Sequence, residues 1–118
     1  MSGIENRSSA RRDTLNLLDY ILVDESGREV DRAMARTLNV SERGILLETH
    51  VPLPVGQQLL ITIGLRNNLF EFRGRVAHCK SCTTESHCAG VEFLDVSQEG
   101  MVILLDFLKA FNDQTKPA

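Results

Sequence analysis

The first thirteen residues, MSGIENRSSARRD, carry no apolar periodicity. From Leu15 the pattern changes. LNLLDYILVD gathers Tyr20, Ile21 and Val23 toward its end, the β-branched and aromatic enrichment of a strand. DESGRE follows as a turn centred on Ser26-Gly27. EVDRAMARTLNV sets Val30, Ala33 or Met34, and Leu38 among charged neighbours and predicts a second strand, and GILLET a third. Pro52, Pro54 and Gly56 interrupt the chain before QLLITIGL. In that fourth strand Leu59, Ile61, Ile63 and Leu65 share one face, and Leu60, Thr62 and Gly64 the other. After a turn at Arg66-Asn67-Asn68, FEFRGRVAHC alternates Phe70, Phe72, Gly74, Val76 and His78 against Glu71, Arg73, Arg75, Ala77 and Cys79. This is a half-buried fifth strand with a basic outer face. The loop KSCTTESH leads to CAGVEFLD, a sixth.

The ending has a different period. Ser97 is positioned as an N-cap, with Glu99 in the first turn near the positive end of the helix dipole. Met101, Leu104, Leu105, Leu108 and Phe111 recur at helical spacing, and Asp106, Lys109 and Asn112 fall on the other side. The expected fold is therefore all-β with one C-terminal helix: a six-stranded antiparallel β-barrel, or an open roll, behind a flexible N-terminal arm. The expected boundaries are 1–13 for the arm, 14–96 for the barrel and 97–113 for the helix.

Length and composition narrow the function. At 118 residues and 42% hydrophobic content the chain suits one domain with its own core. No apolar run approaches the ~20 residues that span a bilayer, and the N-terminus lacks the apolar stretch of a secretory signal. The expected location is cytoplasmic, without membrane insertion. Net charge is −3, unevenly spread: Arg7, Arg11 and Arg12 against Glu5 give the first twelve residues +2, leaving −5 on the remainder. An acidic body with a cationic arm suits a small anion better than DNA or RNA, where many phosphates must be neutralised together. With no Trp and 5% aromatic residues, stacking platforms for bases are scarce.

Two short motifs carry candidate chemistry. Arg7 and Arg11 form an R-x-x-x-R pair, and guanidinium forks suit both phosphate and the O6/N7 edge of guanine. LNVSERG places Asn39, Ser41 and Gly44 at the turn between the second and third strands. Asn39 can hydrogen-bond nearby backbone. Ser41 can donate to a phosphate oxygen or cap a local amide. Gly44 tolerates a backbone conformation that a side chain forbids and admits close approach of a ligand.

R7-S8-S9-A10-R11 before the first strand and N39-V40-S41-E42-R43-G44 after the second resemble the paired motifs of the PilZ domain family of bacterial cyclic di-GMP receptors. Gly90-Val91-Glu92-Phe93 resembles the family's closing strand. The resemblance implies a PilZ-like split barrel that binds cyclic di-GMP without cofactor. Arg7 and Arg11 would grip phosphates and guanine edges, with Asn39, Ser41 and Gly44 as the facing wall. Arg12 continues the basic cluster, and either Arg11 or Arg12 is the second motif arginine. The arm closing over the dinucleotide would alter a surface offered to a downstream protein. The alternative is a PilZ-like adaptor that binds protein and no nucleotide.

HCKSCTTESHC concentrates His78, Cys79, Cys82, His87 and Cys88. Cys79, Cys82, His87 and Cys88 form a minor candidate set for zinc, and a metal-loaded hairpin used in redox sensing is a third function. The spacing equally fits a hairpin in which Cys79 and Cys88 face each other, with a disulfide disfavoured by a reducing compartment. No catalytic constellation stands out. Ser41 lacks a nucleophile elbow, and His50, His78 and His87 have no evident nucleophile and orienting acid, so no enzymatic activity is expected.

Overall fold

The computed structural model describes residues 17–65 and 68–115; the side chains of residues 65, 68, 114 and 115 are excepted. The arginine arm, with Arg7, Arg11 and Arg12, lies outside the described residues. Six strands, β1 (Leu17–Val23), β2 (Glu29–Val40), β3 (Gly44–Thr49), β4 (Gln58–Leu65), β5 (Asn68–Ser81) and β6 (His87–Leu94), precede helix α1 (Gln98–Thr115). They pair antiparallel in the order β1-β2-β3-β6-β5-β4, and β4 returns to β1 to close a barrel. Every strand thus has a neighbour on each side, which settles the choice between barrel and open roll.

Turn chemistry fixes the hairpins. Asp24 Oδ1 accepts hydrogen bonds from Ser26 N, Ser26 Oγ and Arg28 N, and Gly27 takes φ 84°, which a side chain disfavours. The Arg28 amide above all, then the Ser26 hydroxyl, holds the Asp24 carboxyl below its ordinary range. In β4 the expected faces hold: Leu59, Ile61 and Ile63 are buried. In β2 they do not. Val30 and Met34 are exposed, and the inward residues are Ala35, Thr37 and Val40. The first half of β2 pairs with β1 but faces solvent, so apolar character there does not report burial.

Ser97 caps α1, accepting at Oγ from Gly100 N at 2.9 Å. The buried helical stripe is Leu104, Phe107 and Phe111, supported by Met101, Ile103 and Leu108. Leu105, expected on that stripe, is 42% exposed; it sits about 100° around the helix from Leu104. The helix side chains belong to one core with the inward residues of the barrel, Leu18, Tyr20, Ile61 and Phe72 among them.

Tyr20 is the only tyrosine, and there is no tryptophan. Burial, and secondarily the charge of Asp31, push its phenol above the ordinary value of 10.0. A raised folded-state value means that the stability this neutral group confers is intact below pH 10 and lost as pH rises through the folded value. Alkaline titration of tyrosinate absorbance should therefore show a midpoint above 10, falling to the ordinary value in denaturant.

Candidate functional site

The N39-V40-S41-E42-R43-G44 motif occupies the β2–β3 turn. Ser41 N donates to Gly44 O at 2.8 Å. The Ser41 hydroxyl oxygen accepts from Arg43 N at 3.2 Å and Gly44 N at 3.3 Å, and its proton points to Gly44 O at 3.4 Å. Of the two roles open from sequence, Ser41 thus performs the amide cap here. Asn39 Oδ1 accepts from Val40 N at 2.9 Å. Arg43 O accepts from Phe93 N at 2.8 Å, which ties the turn to β6.

Gly44 is required for a reason the sequence conceals. Its φ is not among the positive values, which belong to Gly27 and Gly56 among the described glycines. Instead β6 crosses so closely that a Cβ at Gly44 would strike the Val91 carbonyl oxygen and stand 3.2 Å from Glu92 Cα. The crowding comes from the protein's own backbone.

Two β-bulges shape the wall beside this turn. In β2, Thr37 pairs with Leu47 and Asn39 with Leu46, leaving Leu38 as the extra residue. In β5, Val76 pairs with Val91 and His78 with Gly90, leaving Ala77 extra. Each bulge reverses the alternation beyond it. Uninterrupted, Asn39 would follow Ala35 and Thr37 inward, and His78 would follow Phe72, Gly74 and Val76. The β5 alternation expected from sequence therefore fails after Val76: His78 turns to solvent and Cys79 packs against the core.

The bulges align one rung across four strands, Asn39 to Leu46 to Gly90 to His78. This rung floors a shallow hollow of about 420 Å³, whose rim includes Ser41, Arg43 and Glu92. Small residues keep the floor low: Gly44, Ala77 and Gly90 all line it. The His78 ring lies over Gly90, with Nε2, Cε1 and Cδ2 all within 2.8 Å of where a Cβ would stand. On the rim Glu92 faces Arg75 directly across the β5–β6 ladder, and Arg75 Nε donates to Glu92 Oε1 at 2.9 Å. Sequence alone singles out neither His78 nor Glu92 as a site residue. Glu92 was accessible through the alternation of Val91 and Phe93; His78 was hidden by its bulge.

The cysteines behave differently from their expected pairing. Cys82 and Cys88 form a disulfide with Cα atoms 5.5 Å apart. The register puts Cys88 opposite Lys80, and Cys79 opposite Ala89, so Cys79 and Cys88 do not face each other. Cys79 is the free thiol; its Sγ accepts from Leu53 N at 3.4 Å. The fold does not gather Cys79, Cys82, His87 and Cys88 as a ligand set, and among the described residues no group of three His, Cys, Asp or Glu side chains is arranged to hold a metal ion. Nor, among them, is any helix long and apolar enough to cross a membrane.

Closed barrel, packed C-terminal helix and bulge-built hollow together describe a small β-barrel domain with a hollow on its outer wall. The chain belongs to the PilZ domain family, whose model matches residues 5–110. No curated protein matches it by sequence. Among solved structures it is similar to the PilZ domain of YcgR from Escherichia coli with c-di-GMP (TM-score 0.63, 14% identity, 85% of each chain covered). It is also similar to the PilZ domain of CeSA from a cellulose-synthesizing bacterium (TM-score 0.59, 9% identity, 83% of this chain and 95% of that one). MrkH of K. pneumonia in its apo state aligns with a TM-score of 0.56 at 15% identity, over 83% of this chain and 50% of that one. At these identities the likeness concerns the fold.

Proposed function

We propose that this domain is a cyclic di-GMP receptor: the arginines of the N-terminal segment grip the dinucleotide against the Asn39–Gly44 corner, and the changed surface is read by a partner protein. The observation that carries the reading is the hollow itself, which adjoins the N-x-S-x-x-G turn and has Asn39 turned toward it by a bulge. Both acceptor lone pairs of Ser41 Oγ serve the turn amides, while its proton makes only a long contact to Gly44 O. A phosphate oxygen is a stronger acceptor and can take that proton without undoing the turn.

Chain reach is sufficient. Leu17 pairs with Arg36, and Asn39 lies three residues further along β2, roughly 10 Å. Leu17 is six positions on from Arg11, about 20 Å of extended chain. A ladder that continued the Leu17↔Arg36 register would carry Arg12 to Ser41 and Arg11 to Glu42. Ordering such a segment costs about 1–2 kcal/mol per residue, so several charge-assisted bonds of about 1.5–3 kcal/mol must form together. That favours a ligand with two separate phosphates and two guanines over a mononucleotide, which offers one of each.

The YcgR domain, similar in fold, is described with c-di-GMP, which supports the choice of ligand. The test is calorimetry with cyclic di-GMP on the wild type and on Arg11→Ala. The wild type should bind at micromolar ligand or below, and Arg11→Ala should bind about 10- to 100-fold more weakly. No heat from the wild type would reject the receptor reading in favour of a protein-binding adaptor.

A further inference from the structure

We propose that the open stretch of β2, Glu29–Met34, and the cavity where β2 and β3 part form one docking slot for an extended basic segment of a partner protein, which joins the sheet there as an added strand. The inference stands on the barrel alone and holds for a receptor and an adaptor alike.

The first support is the register. β2 runs for twelve residues and β3 for six. β1 pairs with β2 from Arg36 back to Glu29, whereas β3 pairs with it only from Val40 back to Arg36. Among the described residues, Glu29–Met34 therefore has a neighbour on one side alone, and about 20 Å of strand has an open edge. All six residues are exposed. β3 ends at Thr49, whose Oγ1 donates to Val51 O at 2.7 Å as the chain turns away. A peptide laid along the continuation of β3 displaces no described strand. Asp31 Oδ1 accepts from Arg32 N at 2.8 Å, so that amide is covered while the slot is empty, and an incoming cation that takes the carboxylate uncovers it.

The second support is the cavity, about 520 Å³, which opens where the two strands diverge. Buried Ala35 and Thr49 line it together with outward-facing Met34, Arg36 and Glu48, so it cuts into the wall between β2 and β3. Glu48 is held from both sides, by Arg36 Nη2 at 3.0 Å and by Ser86 Oγ, which donates at 2.8 Å. The loop carrying Ser86 is tied by the Cys82–Cys88 disulfide, and Cys82 N and Thr83 N donate to Ser86 O. That wall is set before a partner arrives, which lowers the ordering cost of binding. Leu17 and Met34, 41% and 54% exposed, give the cavity an apolar lip.

Charge selects the occupant. Arg32 is taken by Glu29 at 3.1 Å and Arg36 by Glu48. The described ion pairs leave Asp31 on the open stretch and Glu85 at the cavity without a cation. Asp31 is three positions from Met34, about 10 Å along β2. The matching segment carries an apolar residue for the Leu17–Met34 lip and two basic residues, one reaching Glu85 and the other, about three positions along, Asp31. Main-chain pairing supplies affinity in such additions, and the side chains supply choice. A second copy of this chain would bring its own Glu29 and Asp31 to the same edge and matches less well.

The probe is a capped eight-residue peptide of valine and threonine with a central isoleucine and two lysines three positions apart, titrated into the isotope-labelled full chain. It should bind and slow amide exchange within Glu29–Met34 about tenfold or more at saturation. The same peptide N-methylated at alternate residues should not bind, and one with glutamate for lysine should bind about tenfold more weakly. Glu85→Lys should weaken binding about fivefold and Met34→Ser about tenfold; both positions are exposed, and unchanged thermal melts confirm that the variants fold. No binding at millimolar peptide, equal binding of the lysine and glutamate peptides, or slowed exchange elsewhere on the barrel overturns the proposal. So does exchange at Glu29–Met34 that slows with protein concentration alone, which would place a second copy on this edge.

Discussion

Phe107→Ala is expected to be the most damaging single truncation in the helix, at about 3–5 kcal/mol. The ring is 1% exposed and lies in the same core as Leu104, Ile61 and Phe72. It also stacks on Phe111, with centroids 6.3 Å apart and planes inclined by 28°. Removing it leaves a cavity where helix and barrel share one interior, and neither side can collapse without losing its own contacts. For a chain of this length such a loss corresponds to a fall in Tm of roughly 12–20 °C. Leu105→Ser, two residues away in sequence but on the solvent side, should change stability by no more than about 0.5 kcal/mol. Thermal melts of the two variants separate the possibilities. Equal effects would mean that the helix does not seat on the barrel through the Leu104–Phe107–Phe111 stripe.

Gly44→Ala should cost about 3 kcal/mol, at the upper end for adding a single methyl group. The added carbon meets the Val91 carbonyl oxygen and Glu92 Cα, which are backbone atoms and cannot rotate aside. Relief requires β3 and β6 to separate at Gly44↔Glu92, the last rung of their ladder beside the turn. Phe93 N→Arg43 O would be stretched with it. The consequence for experiment is specific. Gly44 lies in a motif associated with ligand binding, and a variant that loses binding invites the conclusion that glycine touches ligand. A melt of the ligand-free variant distinguishes the two: a lowered Tm without any nucleotide assigns the defect to strand packing, and an unchanged Tm assigns it to the ligand.

Strand β3 runs from Gly44 to Thr49, β2 from Glu29 to Val40 and β4 from Gln58 to Leu65, as their residue patterns indicate. Those limits are legible because Ser26-Gly27, the Ser41–Gly44 turn and the Pro52–Gly56 stretch are local punctuation. The bulges at Leu38 and Ala77 are not legible, since a bulge is defined by what the neighbouring strand pairs with, and no local pattern in β5 announces that Gly90 will meet His78. The motif points to Gly44 for backbone freedom or ligand approach, but the strand that excludes a side chain there lies some fifty residues later. The helix is legible and its stripe only partly, because Leu105 and Phe107 are both apolar and only the barrel decides which is covered. The cysteine pairing escaped for the same reason: Cys82 reaches Cys88 through a hairpin whose register depends on the Ala77 bulge.

Because β4 returns to β1, the described sheet has no terminal strand. Over the rungs paired on both sides a docking protein cannot add a strand of its own, the route by which peptides are captured on open sheets; the Glu29–Met34 stretch of β2, which pairs with β1 and not with β3, is the exception. On the doubly paired wall, a partner of the kind proposed would have to recognise side chains and relief, and mutations that weaken such recognition should map to outward-facing residues and leave the barrel's amide-exchange pattern untouched.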